Sequence, residues 1–232
     1  NNYASIDGVL FNKDKTELIQ YPAGKSETTY TIPDSVTEIG SSAFFGCTSL
    51  SSINIPDSVI KIGYYVFSGC TSLSSIEIPD SVTSIEDFAF YGCTSLSSIE
   101  IPDSVTSIGD SAFSGCTSLS SINIPDSVTA IGKSAFYGTQ LIENQDGIDY
   151  VGKWVVDSDK DITSAEIREE TRRIADSAFL YRSNISNIEI PDSVTKIGSS
   201  AFSGCTSLSS IEIPDSVTEI GDETFSECTN LS

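Results

Sequence analysis

Leu73-Ser74-Ser75-Ile76-Glu77-Ile78-Pro79-Asp80-Ser81-Val82-Thr83-Ser84-Ile85-Glu86-Asp87-Phe88-Ala89-Phe90-Tyr91-Gly92-Cys93-Thr94-Ser95-Leu96 decides the fold, because it recurs. Its Ile-Pro-Asp-Ser-Val segment begins at Ile32, Ile55, Ile78, Ile101 and Ile124, and again at Ile190 and Ile213, with a period of 23 residues inside each group. Ile167-Arg168-Glu169-Glu170-Thr171 holds the same phase, 23 residues before Ile190. The alternation Ile76-Glu77-Ile78 has a period of two and reads as a short strand with its isoleucines turned inward. Proline ends that strand, and Pro-Asp-Ser supplies turn chemistry. The apolar residues at 85, 89, 90 and 93 suit one short helical turn. A single unit of this kind cannot bury its own apolar face. Stacked units can, at about 4.8 Å per rung.

The expected architecture is therefore a repeat solenoid: one right-handed coil over residues 1–232, with one parallel sheet face and short helical turns and loops opposite. Strands are predicted at 30–32, 53–55, 76–78, 99–101, 122–124, 165–167, 188–190 and 211–213. Residues 1–29 read as an N-terminal hairpin cap, in which Asp7-Gly8-Val9-Leu10-Phe11 and Glu17-Leu18-Ile19 flank the polar turn Asn12-Lys13-Asp14-Lys15. Regular repeats follow over 30–141, an irregular one over 142–166, and regular ones over 167–232. The irregular segment carries Asp146-Gly147-Ile148-Asp149-Tyr150-Val151 and then Trp154-Val155-Val156, which echoes the Asp-Gly start of the cap. Both breaks thus read as the same kind of modified rung. The start, Asn1-Asn2-Tyr3, reads as a mature or trimmed end, and the close at Leu231-Ser232 reads as a truncation or as a chain that continues.

Stacking turns alignment columns into ladders. Phe44, Phe67, Phe90, Phe113, Phe136, Phe179, Phe202 and Phe225 fill one column, a phenylalanine spine. Ser35, Ser58, Ser81, Ser104, Ser127, Ser193 and Ser216 fill another, where hydroxyls are expected to bond turn backbone. The cysteines at 47, 70, 93, 116, 205 and 228 share a column beside Phe and Leu, which favours buried free thiols over disulfides or a metal site. Cys-x-x-Cys spacing for zinc is absent.

Composition removes whole classes of chemistry. There is no histidine, so a Ser-His-Asp or Cys-His site cannot be built from this chain. Twelve Lys plus Arg against 33 Asp plus Glu give a net charge of −21, which repels nucleic-acid phosphate and anionic lipid. No apolar run reaches a membrane span. Asp157-Ser158-Asp159-Lys160-Asp161 begins like a calcium loop, but the places that should hold Gly and Glu hold Ile162 and Arg168, so a solvated turn is favoured over a calcium site. The outward strand positions Asn54, Glu77, Glu100, Asn123, Glu166, Glu189 and Glu212 could suggest a glycosidase, yet a ladder on an open face offers no cleft with a split carboxylate pair.

At this point the resemblance is specific. Leu73-x-x-Ile76-x-Ile78 has leucine-rich-repeat spacing. The run Ile101-Pro102-Asp103-Ser104-Val105-Thr106, continued by Ile108-Gly109, Ser111-Ala112-Phe113 and Gly115-Cys116-Thr117-Ser118-Leu119, resembles the BspA-type leucine-rich repeat. The likeness covers nearly the whole chain. It implies a secreted or cell-surface protein of the kind found in oral and gut bacteria and some mucosal protozoa, adhering to host matrix proteins or to cells. It brings no catalytic motif and no binding residue that can be transferred by position. The resulting expectation is a monomeric, extracellular or surface protein-binding module without enzyme activity, cofactor, metal, nucleic-acid partner or membrane insertion. A passive spacer that displays another domain is the alternative.

Candidate contact residues come from departures within the repeat. Tyr65 and Phe88 stand in a column otherwise filled by Ser42, Ser111, Ser134, Ser177, Ser200 and Glu223. Tyr64 is next to Tyr65, and Tyr91 would sit beside Phe88 on a helical turn. Together Tyr64, Tyr65, Phe88 and Tyr91 are expected to form an exposed aromatic patch that binds the protein partner. The competing reading is that these rings merely pack on one another.

Overall fold

A computed structural model describes residues 2–232; Asn1, the first residue of the Asn1-Asn2-Tyr3 start, lies outside the described residues. Among the described residues every regular element is a short β-strand and none is a helix, so no helix is long and apolar enough to cross a membrane. The chain divides into two compact units, Asn1–Thr129 with Ala135–Leu141, and Ala130–Ser134 with Ile142–Ser232. Each unit is a stack of β-solenoid rungs.

In the first unit the Ile-Pro strands pair in parallel. Thr29–Thr31, Ser52–Asn54 and Ser75–Ile76 align Tyr30, Ile53 and Ile76, and Ser98–Glu100 aligns Ile99 with Ile122 of Ser121–Asn123. The strands lie one residue earlier than the sequence suggests. Proline has no N–H to continue the ladder, so pairing closes before the isoleucine that precedes it. A second ladder, not foreseen, runs through Glu38–Ile39 and Lys61–Ile62, and through Ser84–Ile85 and Ser107–Ile108, again in parallel register. In each of these strands the isoleucine is buried and its neighbour is not.

The short helical turn expected from Ile85 to Cys93 is corrected by the structure. Residue 88 has φ 57° and Gly92 has φ 69°, and the equivalent places on the other rungs repeat this left-handed geometry. A right-handed helix cannot pass through two such residues. The alternation serves another purpose. The N–H groups of Ser42, Phe44 and Gly46 donate to the carbonyls of Tyr64, Val66 and Ser68 at 2.8, 2.9 and 2.8 Å. A helix would direct those donors along its own segment, whereas here they join one rung to the next.

Between the ladders lies an apolar core. Tyr21, Phe44, Phe67, Phe90, Phe113 and Phe136 are buried and stack with centroids 5.3–5.7 Å apart in the first unit. In the second unit buried Phe179 and Phe202 and half-buried Phe225 stack at 5.3 and 5.7 Å. The serine column bonds turn backbone as expected, and the turn belongs to the preceding rung: Ser58 Oγ donates to the Val36 carbonyl at 2.7 Å and Ser216 Oγ to that of Val194 at 2.8 Å. Ser127 and Ser193 keep the column but have no partner for their buried hydroxyls.

Each unit also contains a modified rung of one design. Tyr3–Ile6, Val9–Asn12 and Glu17–Gln20 form an antiparallel meander, whose last strand pairs in parallel with Glu38–Ile39. Glu143–Gln145, Ile148–Val151 and Trp154–Ser158 repeat it and join Arg173–Ile174. Both meanders turn at Asp-Gly with both residues left-handed, Asp7-Gly8 and Asp146-Gly147, the geometry that matches a tight hairpin to strand twist. Tyr3–Ile6 and Glu143–Gln145 were not foreseen, since neither has apolar alternation strong enough to announce a strand.

In the second unit Ser164–Glu166 pairs with Asn187–Glu189, and Arg173–Ile174, Lys196–Ile197 and Glu219–Ile220 form the second ladder. Arg168 fastens the meander: its guanidinium lies 4.1 Å from the Tyr150 ring centroid and donates to Gln145 Oε1 and Glu143 Oε2 at 2.7 and 3.0 Å. The strand expected at 211–213 does not form. Ile211 and Ile213 are half-buried there and still pack against the apolar core of the unit.

Candidate binding surface

The four aromatic residues singled out in the sequence lie in the first unit, on the turn side of the rungs. Tyr65 and Phe88 occupy the left-handed column, with φ of 55° and 57°. Their backbones are held by inter-rung bonds, Tyr65 N–H to the Asp87 carbonyl at 3.1 Å and Phe88 N–H to the Asp110 carbonyl at 2.9 Å. This fixes the side chains one above the other. The rings stack with centroids 4.5 Å apart and planes 3° from parallel. Tyr91 reaches Phe88 at 5.9 Å and 59°, although no helix brings it there; its N–H donates to the Phe88 carbonyl at 3.1 Å in a tight turn. Tyr64, Tyr65 and Tyr91 remain 48%, 39% and 46% exposed, and Phe88 is half-buried between its neighbours. Tyr65, Phe88 and Tyr91 thus pack on one another and still present apolar surface, and Tyr64 is exposed without joining their stack.

Other exposed aromatics escaped the sequence reading. Phe45 and Tyr137 share the column of Tyr91, whose remaining places in this unit hold Ser68 and Ser114. The same column comparison that found Tyr65 would have found them. In the second unit Tyr181 stands at φ 57° where every other regular rung but that of Glu227 has glycine, and its ring lies over Gly204 of the next rung.

The remaining candidate chemistry resolves into structure. All six cysteines are free thiols; five are buried and Cys228 is half-buried. Their S–H groups are used in the core, Cys70, Cys93 and Cys116 donating to the carbonyls of Phe44, Phe67 and Phe90 at 3.1, 3.1 and 3.0 Å. Burial pushes the Cys205 thiol up to about 12, far from the reactive thiolate form. In the calcium-like stretch, Asp157 is turned toward Arg182 at 2.7 Å and accepts the Ser158 N–H at 2.8 Å, while burial raises its carboxyl above the usual range. Arg182 occupies the place that cysteine holds on other rungs, and also donates to the Ser158 carbonyl. Among the described residues no group of three or more His, Cys, Asp or Glu is placed to hold a metal ion. The strand-side carboxylates Glu77 and Glu100 lie exposed on an open face.

Comparison with known proteins places this architecture. The family model described as the BspA type leucine rich repeat region matches in 6 copies over residues 23–143 and 157–232. A solved leucine-rich repeat protein of T. pallidum is 26% identical, with 99% of this chain and 87% of that one covered and a TM-score of 0.53. A leucine-rich cell surface protein from Faecalibacterium prausnitzii A2-165 is also 26% identical over 99% of this chain and 87% of that one, with a TM-score of 0.48. One from Eubacterium ventriosum ATCC 27560 shares 26% identity over 97% of this chain and 50% of that one, at a TM-score of 0.40. No curated protein matches. With a repeat unit, a two-ladder rung and a family model that all coincide over most of its length, the chain belongs to the BspA-type leucine-rich-repeat family.

Proposed function

We propose that the chain is a non-enzymatic protein-binding module, secreted or displayed on the cell surface, and that Tyr64, Tyr65, Phe88 and Tyr91 make its contact with the partner. The observation that carries this reading is the placement of Tyr65 and Phe88. Left-handed backbone costs a bulky L-residue about 1–2 kcal/mol. Sister rungs meet that demand with serine at five of the six other places. Stacking two rings returns about 0.5–1.5 kcal/mol, so the pair does little for the fold. Its use lies in the apolar surface it presents, and aromatic anchors of this kind dominate protein interfaces. Surface display draws support from the family and from the cell-surface protein among its structural neighbours.

The test is capture of mucosal and matrix proteins by the parent chain and by a Tyr65→Ser, Phe88→Ser, Tyr91→Ser variant. Serine already stands at equivalent places, so the variant should keep its circular dichroism. The expected result is a partner held by the parent and weakened roughly thirtyfold or more in the variant. Equal retention by both would remove the patch as the site. Capture of nothing by either would favour a passive spacer.

A further inference from the structure

One band on the turn side of the first unit carries no charge, although the column of Tyr64 beside it holds Asp87 and Asp110. Residues 42–53, 65–76, 88–99, 111–122 and 135–141 contain no Asp, Glu, Lys or Arg, in a chain that is 19% charged. What these stretches expose is hydroxyl and aromatic. Thr48, Thr71, Thr94 and Thr117 form an exposed column on successive rungs. The Thr94 hydroxyl donates to the Thr71 carbonyl at 3.3 Å, which leaves its oxygen lone pairs facing outward as acceptors.

Beside that column stands a row of rings. Phe45, Tyr91 and Tyr137 are 53%, 46% and 67% exposed. They fall on alternate rungs, and the rungs between carry Ser68 and Ser114, both buried. The column is held in register by the same device throughout: Gly46, Gly69, Gly92 and Gly115 N–H donate to the carbonyls of Ser68, Tyr91, Ser114 and Tyr137 at 2.7–2.8 Å. Successive rings are therefore two rungs apart, about 9.6 Å.

That period selects a ligand. In an extended β-1,4-linked glycan each sugar is turned over relative to the last, so the same face recurs once per disaccharide, a length close to two rungs. The C–H face of a hexopyranose stacks on an aromatic ring, and its hydroxyls need acceptors and donors alongside. An uncharged band on a chain of net charge −21 matches a neutral polymer and disfavours an anionic one. We propose that Phe45, Tyr91 and Tyr137 form a platform for a neutral, linear β-1,4-linked hexopyranose glycan, with every second sugar stacked on a ring and the threonine column bonding its hydroxyls. This goes beyond the protein contact proposed above. It uses a different ligand class, and Phe45 and Tyr137 lie outside that patch.

Isothermal titration of the intact chain with cellohexaose and with N-acetylchitohexaose tests it, with α-linked maltohexaose as the control. Saturable binding to at least one β-1,4 hexasaccharide and not to maltohexaose is expected. Phe45→Ser and Tyr137→Ser should each weaken it by about fivefold. Tyr64→Ser, outside the row of rings, should leave it within about twofold. Absence of binding to both β-1,4 ligands, equal binding of maltohexaose, or full binding by a Phe45→Ser, Tyr137→Ser variant would each overturn the proposal. Because the variants replace aromatics with the residue found at Ser68 and Ser114, circular dichroism is expected to match the parent. The selectivity of the parent chain decides the question even if it does not. Failure here leaves the protein contact standing, since that is read from Tyr65 and Phe88.

Discussion

Phe113 shows what a single residue does in this fold. It is fully buried, with the Phe90 and Phe136 rings 5.3 and 5.7 Å away and nearly parallel. Phe113→Ala is expected to cost about 3–5 kcal/mol, because the neighbouring rings are fixed by their own rungs and cannot collapse into the space. In a stack where each rung touches only its neighbours, the loss should be local. Hydrogen exchange should show lost protection in the rungs that carry Phe90, Phe113 and Phe136, with that of Phe202 little changed. An unchanged profile would show that the spine is not close-packed. The spine was legible in sequence because one column kept phenylalanine eight times. The role of the thiols was only half legible: the column predicted burial, but not that each S–H would meet the carbonyl of the spine aromatic on the previous rung, Tyr21 for Cys47 and phenylalanine for the other five.

At the scale of one rung, the turn is built from left-handed residues, and the glycines separate two costs. Gly92 has φ 69° and nothing within 4 Å of an added Cβ, so Gly92→Ala should carry only the conformational penalty, about 1 kcal/mol. Gly204 has φ 74°, and an added Cβ would run into the Tyr181 ring. Gly204→Ala should therefore cost more, about 2–3 kcal/mol, and Tyr181→Gly should bring it back toward the Gly92 value. Equal losses at the two sites by chemical denaturation would mean that the Tyr181 ring yields freely. The same turn explains the helix that was expected and did not form. Apolar spacing at 85, 89, 90 and 93 suits a helical face and a tight β-arc alike, and only the hydrogen bonds between rungs distinguish them.

Across the whole molecule the dominant quantity is the net charge of −21. The exposed ion pairs Lys61–Glu38 and Lys196–Glu219 offset little of it, since exposed pairs contribute about 0–1 kcal/mol each. Columns repeat charge at rung spacing, so Glu166 and Glu189 stand directly side by side. Screening should relieve this. Raising sodium chloride from about 10 mM to about 150 mM shortens the reach of these repulsions from about 30 Å to about 8 Å and should raise Tm by a few degrees in calorimetry. A flat or falling Tm would show that repulsion between carboxylates does not limit stability.

The 23-residue period by itself determined the solenoid, its inward columns and the modified rungs at the two Asp-Gly turns, because a periodic apolar pattern can be buried only by stacking the repeats. It also pointed to Tyr65, Phe88 and Tyr91, through departures from serine. Only the tertiary structure decided how the rungs are joined. The second strand ladder, the left-handed turns and the stacking of Tyr65 on Phe88 depend on hydrogen bonds between residues about 22 positions apart. Those bonds form between neighbouring rungs, and the local pattern of one rung does not specify which N–H groups turn outward to make them.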